Sequence, residues 1–383
     1  MTPAQPNMEP ERLAELLPTL PGLDRVREAA SGLEAYLVGG TVRDLLLGRE
    51  RADIDVAVEG GGVEELARRL GGTARVHERF ATAIVRTDDL EVDLAATRSE
   101  TYARPGALPE VAHAGLPEDL ARRDFTVNAM AVPLNAEPEL IDPHGGLSDL
   151  GRGELRILHD GSFVDDPTRA LRAARYAARY GFALEPATAE RLRETDLGTV
   201  SGERVEAELR KLAAEPEVRT GFALLAEWGL LELEPGALDL VGAVSELAGG
   251  GPWATIADRG QAILAAALGR GIGESRRLAM ATPARPSEAV ELAGRHSGVE
   301  LTLARALGAE WLDRYASDWR GVRLEIDGDD LLAEGVPEGP AIGRGLAEAL
   351  RAKLDGEVSG RDEELRAALR AARETPPRDG ANS

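Results

Sequence analysis

Between residues 11 and 33 the apolar side chains Leu13, Leu16, Leu17 and Val26 recur at helical intervals, interrupted by Pro18 and Pro21, which predicts one or two short helices. Ala35-Tyr-Leu-Val38 is a β-prone apolar run that stops at Gly39-Gly40; residues 45–47 suggest a helical turn, and 54–58, with alternating Asp, a second strand. After the loop Gly60-Gly-Gly62 comes an amphipathic helix at 63–70, and then a hairpin formed by 83–85 and 90–94 around Asp88-Asp89. The order strand, helix, strand, helix, strand, strand predicts a small mixed sheet packed on helices. From Pro167 onward the pattern is almost wholly helical, rich in Ala, Leu, Arg and Glu. The change falls near the Gly/Asp-rich stretch 145–161, the expected domain joint, with weaker breaks at 235–251 and 283–286 and no internal repeat. The expected class is α+β.

Length and charge narrow the picture. A chain of 383 residues exceeds what one hydrophobic core organises, so two or three units are expected. Its 43% hydrophobic and 29% charged residues are those of an ordinary soluble protein. The absence of cysteine excludes a disulfide framework, a thiolate zinc site and a cysteine nucleophile, and points to the cytoplasm. The first ten residues are polar and proline-rich, and no run of about 18 apolar residues occurs, so neither a secretion signal nor a membrane span is expected. A formal charge of −22 argues against gripping nucleic acid with the whole surface; any RNA contact needs a local basic strip. Lysine occurs only at Lys211 and Lys353, so the positive charge is nearly all arginine. The stretch 165–211 holds 9 basic and 9 acidic residues, which makes it the least repulsive surface to present to RNA.

The chemistry concentrates in a few blocks. Leu37-Val-Gly-Gly-Thr-Val-Arg-Asp-Leu-Leu-Leu-Gly48 is followed by Asp53-Ile-Asp55. A strand ending in Gly39-Gly40 lets backbone N–H groups approach a triphosphate, with the next helix N-terminus facing the anion. Asp53 and Asp55 lie two apart on a strand and so share a face, where two carboxylates can hold a pair of Mg²⁺ ions. An isolated Asp-x-Asp reads as a solvated strand; its position one short helix after a Gly-Gly strand end makes it a candidate catalytic pair. Asp93, on the expected hairpin, is either a third carboxylate or a structural acid. Asp119-Leu-Ala-Arg-Arg-Asp-Phe-Thr-Val-Asn-Ala-Met-Ala131 sets Arg122 and Arg123 beside Asp124, where a triphosphate or ribose could sit, with Phe125 and Met130 packing inward.

These blocks resemble the class II tRNA nucleotidyltransferase and bacterial poly(A) polymerase family, within the polymerase-β-type nucleotidyltransferase superfamily. The matching motifs are G-G-x-V-R-D with D-x-D, R-R-D-F-T-x-N-A, and the Asp142-Pro-His-Gly-Gly-Leu-Ser-Asp-Leu150 joint. The resemblance implies a polymerase-β-type nucleotidyltransferase head, a small mixed sheet with helices, followed by an all-helical neck, body and tail. It implies Asp53 and Asp55 as ligands of two Mg²⁺ ions, with Asp93 a further catalytic candidate. Nucleotide contacts are implied for Gly39, Gly40, Arg43, Arg123 and Asp124, and a structural hydrogen bond for Asn128.

A further block, Ser162-Phe-Val-Asp-Asp-Pro-Thr-Arg-Ala-Leu-Arg-Ala-Ala-Arg-Tyr176, bears on base choice. Pro167 suits the first turn of a helix, which would make Asp166 and Arg169 i,i+3 neighbours on one face. Arg172 and Arg175 follow at the same spacing, but each step of three drifts about 60° on a helix, so Arg175 is expected roughly opposite Asp166. A carboxylate beside a guanidinium complements an amino group beside a bare ring nitrogen, the edge shown by cytosine and adenine and reversed in uracil and guanine. The family places base reading here, with Arg172 and Arg175 also contacting nucleotide. Many CCA-adding members have Glu-Asp where this chain has Asp165-Asp166, a form similar also to members that add only A. Ser201-Gly-Glu-Arg-Val-Glu-Ala-Glu-Leu-Arg-Lys-Leu212 matches a helix that buttresses the neck, with Ser201 as N-cap. Segments of 327–365 loosely resemble the tail that lies along tRNA, and 235–322 matches no motif.

The expected layout is an N-terminal helical extension (1–34), a nucleotidyltransferase head (35–150), a neck carrying the base-recognition helix (151–215), a helical body and tail binding tRNA (216–373) and a disordered tail (374–383). The expected activity is template-independent addition of CMP and/or AMP from CTP and ATP to the 3′ end of tRNA, as in a CCA tRNA nucleotidyltransferase, with no membrane partner. Two variants of that chemistry stay open: A addition only, and poly(A) synthesis. A catalytically idle RNA-binding module is the alternative of another class, and intact Asp53 and Asp55 speak against it. Transfer to a small molecule would leave some two hundred helical residues without a purpose.

Overall fold

The computed structural model describes residues 12–49, 53–77 and 81–374. Residues 375–383 of the expected tail and the first residues of the N-terminal extension lie outside the described residues. The chain divides once, into Met1–Glu232 and Leu233–Ser383; the head and neck limits expected at 150 and 215 both fall inside the first unit.

The first unit is built on strands β1 (Ala35–Val38), β2 (Asp53–Val58), β3 (Thr73–His77), β4 (Thr82–Arg86), β5 (Glu91–Ala96), β6 (Arg98–Thr101), β7 (Glu110–His113) and β8 (Ala131–Pro133). Six of them form one mixed sheet in the order β3-β4-β5-β2-β1-β8, while β6 and β7 make a separate ribbon. β2 runs parallel to β5; the other neighbours in the six-stranded sheet are antiparallel. The expected hairpin is β4–β5. Not foreseen were β3 at the sheet edge, the polar ribbon β6–β7, and β8, which is only three residues long.

Helices α1 (Arg12–Leu16), α2 (Leu23–Ala29), α3 (Gly40–Leu46), α4 (Val63–Leu70), α5 (Leu116–Ala121), α6 (Gly146–Arg152), α7 (Ser162–Asp165), α8 (Thr168–Tyr180), α9 (Pro186–Leu192), α10 (Gly202–Ala213) and α11 (Val218–Glu227) accompany these strands. Alternation along β1 and β2 sends Leu37, Ile54 and Val56 into the main core with Leu66, Val92, Leu94 and Met130. Val38 and Ala57 face the other way, into a smaller cluster with Leu116 and Leu120 of α5. α8 joins the main core through Ala170, Ala173, Tyr176, Ala177 and Tyr180, and Phe125 meets Tyr176 edge-to-face with ring centroids 6.0 Å apart. The small alanines let α8 pack closely against α10 and α11. One core cluster thus joins the arginine helix to the strands carrying the aspartates.

The second unit is helical from Ala237–Leu247 to Arg361–Arg373. It has one cluster around Trp253, Leu278, Leu301 and Leu312, and another around Ile326, Leu331, Ala349 and Ala368. Among the described residues no helix is long and apolar enough to cross a membrane.

Candidate active site

The parallel pairing of β2 with β5 sets Asp55 directly opposite Asp93, and Asp53 lies two residues earlier on the same face. One carboxylate oxygen from each of the three lies within 4.8 Å of the others. The first turn of α3 holds Asp55: its Oδ2 accepts from the Thr41 N–H (3.2 Å) and hydroxyl (3.3 Å), and its own N–H donates to Thr41 Oγ1 (2.7 Å). Three anions this close repel one another unless a cation lies among them. An all-oxygen donor set suits a hard divalent cation rather than zinc or copper. The residues present therefore fit a divalent metal, and the triad indicates its use.

The triad lies in the wall of a cavity of about 1110 Å³ that also takes in Gly39, Gly40, Arg43, Arg123, Asp124, Asp166, Arg169, Arg172 and Arg175. The structure thus brings together every site residue singled out from the sequence. The ways in which they are held differ from expectation in several places.

Gly39 has φ 61° and ψ −123°, a backbone state L side chains avoid, and a Cβ there would stand 2.6 Å from Arg123 NH1. The bare turn thus gives room to a guanidinium. Arg123 is held by Asp119 Oδ2 (2.9 Å) and by the Asn128 carbonyl (3.2 Å), while Arg122 donates to Asp119 Oδ1 (2.7 Å) and to Glu100 Oε1 (2.9 Å). Asp119 is only 1% exposed. Burial alone would raise its pKa, but Arg123 and Arg122 hold it below the usual carboxylate value.

Arg43 is 4% exposed and lines the cavity from within the fold. It donates to both Asp44 oxygens (2.9 and 3.0 Å), to Asn128 Oδ1 (2.5 Å) and to the Tyr180 hydroxyl (2.5 Å), and stacks over the Tyr180 ring at 4.5 Å. Burial opposes its charge, yet Asp44 keeps its pKa above the ordinary arginine value. In this state Arg43 joins α3 to α8. Asp124 accepts from the Phe125 N–H (2.9 Å) and Asn128 Nδ2 (2.8 Å) on Oδ1 and from Arg172 Nε (2.7 Å) on Oδ2, with Arg172 NH2 in ion-pair contact with Oδ2 at 2.6 Å. Burial pushes its pKa up, but Arg172 and these hydrogen bonds win and hold it down to about 2.

The helix geometry expected around Asp166 needs correction. α8 begins at Thr168 with Pro167 as N-cap, and Asp166 is extended at φ −135° and ψ 91°, so it is not an i,i+3 helical neighbour of Arg169. The proline ring sets the first helical φ, which leaves the preceding residue outside the helix. The expectation that Arg175 lies roughly opposite Asp166 rested on a shared helix and loses that basis. Asp166 Oδ1 accepts from Thr168 N (3.0 Å), Thr168 Oγ1 (2.6 Å) and Arg204 NH2 (2.9 Å). Arg169 donates to Ser162 Oγ and the Arg122 carbonyl, both at 2.7 Å, and Arg175 pairs with Glu215 at 3.4 Å. Ser201 occupies the N-cap position of α10, as expected, but its side chain makes no capping bond.

Sequence reasoning passed over the cavity's other polar wall. Arg204, Ala207 and Glu208 of α10 line it, whereas that helix was read as structural support. Arg204 also donates to the Gly106 carbonyl (2.9 Å), tying the loop after β6 to the neck. The i, i+3, i+4 spacing of these positions was the available signal. Asp119 carried none, because a helix-end acid beside two arginines reads as a surface salt bridge.

Comparison with known proteins agrees with this geometry. Residues 35–156 match the family described as the Poly A polymerase head domain, and residues 181–235 match the probable RNA and SrmB-binding site of polymerase A. The chain is 36% identical to the A-adding tRNA nucleotidyltransferase of Geobacter sulfurreducens, over 89% of this chain and 45% of that protein. It is 37% identical to the CC-adding tRNA nucleotidyltransferase of Deinococcus radiodurans, over 91% of this chain and 92% of that one. The chain spans about half, or less, of the length of the A-adding relatives it matches. Its fold is similar to that of the Thermotoga maritima CCA-adding enzyme complexed with tRNA, with a TM-score of 0.68 and 28% identity over 94% of this chain and 98% of the other.

Proposed function

The chain belongs to the class II tRNA nucleotidyltransferase and bacterial poly(A) polymerase family, and on that premise we propose that it adds CMP and/or AMP from CTP and ATP to the 3′ end of tRNA without a template, releasing pyrophosphate. The observation that carries this reading is the placing of the Asp53, Asp55 and Asp93 carboxylates in one cavity wall with Asp166, Arg169 and Arg172 of the neck. In this reading residues 35–150 are the head, 151–215 the neck and 216–373 the body and tail that meet tRNA, in the cytoplasm.

Asp53, Asp55 and Asp93 would hold two Mg²⁺ ions, which supply activation of the attacking 3′-hydroxyl and neutralisation of the leaving pyrophosphate. Arg123, pre-oriented by Asp119, binds the triphosphate over the Gly39 turn. Asp166 and Arg169 read the base. The hydrogen bonds to Asp166 converge on Oδ1, so Oδ2 serves as the acceptor for the amino group of cytosine or adenine, while an Arg169 N–H donates to the neighbouring ring nitrogen. Uracil and guanine present a donor to the arginine and an acceptor to the carboxylate, and both mismatches are penalised. An attacking hydroxyl fixed beside the α-phosphate supplies the remaining rate through proximity.

A narrower product is favoured by one feature: Asp165 stands where many CCA-adding members have Glu, and A-adding proteins are among the relatives. Three tRNAs ending at the discriminator base, at C and at CC, each offered CTP or ATP singly, separate the products. CMP incorporation on the first removes the A-only reading; AMP on the third alone removes full CCA addition; a long A tract on any RNA points to a poly(A) polymerase.

A further inference from the structure

Asp124 is 6% exposed and has little acceptor capacity left. A carboxylate offers about four lone-pair positions; here Oδ1 accepts from the Phe125 N–H and Asn128 Nδ2, and Oδ2 accepts from Arg172 Nε at 2.7 Å with the same guanidinium's NH2 in ion-pair contact at 2.6 Å, so Arg172 covers Oδ2. A nucleotide can meet a carboxylate only through a hydroxyl or amino hydrogen, because its phosphates are acceptors. For a nucleotide to reach Asp124, a group that covers one of its oxygens must shift. The Phe125 N–H is backbone and Asn128 is also tied to Arg43, so the donor free to move is Arg172.

A second carboxylate stands beside it. Glu208 on α10 is 9% exposed and lines the cavity. Its Oε1 accepts from Lys211 Nζ at 2.6 Å and lies 4.0 Å from Arg172 NH1. Its Oε2 is buried and has no hydrogen-bond partner. A buried carboxylate oxygen without a donor is costly, and a displacement of about 1 Å would bring the guanidinium into hydrogen-bond range of Oε1 on the same carboxylate. One arginine thus lies between an acid whose Oδ2 it covers and an acid that is under-used.

We propose that Glu208 is a positioning residue that receives the Arg172 guanidinium when a nucleotide hydroxyl engages Asp124. The exchange keeps Arg172 charge-paired throughout, opens Asp124 Oδ2 to the substrate and gives the Glu208 carboxylate a second cation. It rests on the reading of Asp124 as a nucleotide ligand and gives α10 a part in substrate binding. No bond is made or broken apart from hydrogen bonds, and no proton changes owner.

The direct test is a crystal structure of the wild-type protein with a bound non-hydrolysable ATP or CTP analogue. Arg172 within about 3.2 Å of a Glu208 oxygen, with a nucleotide hydroxyl on Asp124, is the expected result. Arg172 retaining its place on Oδ2 of a nucleotide-bound Asp124 overturns the exchange, whereas a nucleotide that leaves Asp124 untouched overturns the reading beneath it. Kinetics give a second measure. Glu208→Gln should raise the KM for nucleotide roughly tenfold with kcat changed less than threefold, Glu208→Asp should recover part of that loss, and in an Arg172→Met background Glu208→Gln should add nothing. Equal losses from Glu208→Gln in both backgrounds, or a fall in kcat alone, would mean a structural role only.

Discussion

Asp119 offers the sharpest test of how the arginines are preset. Its two oxygens separate the guanidiniums of Arg122 and Arg123, at 2.7 and 2.9 Å, and Oδ1 also accepts the Arg98 N–H at 3.3 Å. The Asp119 side chain is 2% exposed, and those of the two arginines 18%. Asp119→Asn keeps the shape but removes the charge and points an N–H₂ at one of the guanidiniums. Removing one member of a buried ion pair costs about 3–5 kcal/mol; the partial exposure of the arginines and the amide oxygen that stays reduce this to roughly 2–3 kcal/mol. For a unit the size of the first one, that lowers Tm by roughly 5–10 °C in calorimetry. Arg123 loses its orientation as well, so the KM for nucleotide should rise roughly tenfold with a smaller change in kcat. A Tm within 1 °C of wild type together with an unchanged KM would refute the claim that Asp119 presets the site.

The other predictions concern the turn, the buried acid and the second unit. Gly39→Ala should lower stability by about 1–2 kcal/mol, since an L residue must adopt φ 61°; its Cβ would also displace Arg123, so nucleotide binding measured by calorimetry should weaken more than stability does. Asp124 has its pKa depressed from 3.8 to about 2 in the fold, so its stabilisation is complete above about pH 4 and disappears as pH falls through about 2. Urea titrations at pH 5, 4 and 3 should show about 1 kcal/mol of its roughly 2.5 kcal/mol lost toward the acid end, a slope absent from Asp124→Asn. At Gly298 a Cβ would fall 1.8 Å from the Ile256 carbonyl oxygen, so Gly298→Ala should unfold the second unit at lower urea while leaving the first unit's transition in place.

How much could be read beforehand follows from how local each signal is. β1, β2 and the β4–β5 hairpin announce themselves as apolar runs bounded by glycine or aspartate. β6 is the polar run Arg-Ser-Glu-Thr, held by its ribbon partner and by side-chain bonds to α5, and no hydrophobic period marks it. Asp53 and Asp55 share a face by simple alternation. Asp93 joins them only because β5 pairs in parallel with β2, a contact between segments far apart in sequence that local patterning does not reveal. The arginines of α8 were legible as a group, but the conformation of Asp166 turned on whether the helix starts at Pro167 or one residue later, a boundary that spacing alone resolves poorly. Least visible were Asp119, Arg204 and Glu208, whose importance comes from burial against partners contributed by other elements.

The most direct test of the central claim is extension of a tRNA lacking its 3′ terminus by the purified protein with CTP, ATP and Mg²⁺, read as added nucleotides and released pyrophosphate, beside a folded Asp53→Asn variant. Wild-type extension by one to three nucleotides, with loss of roughly a thousandfold or more in the variant, is the predicted result. No extension by the wild type, or equal extension by Asp53→Asn, would contradict it.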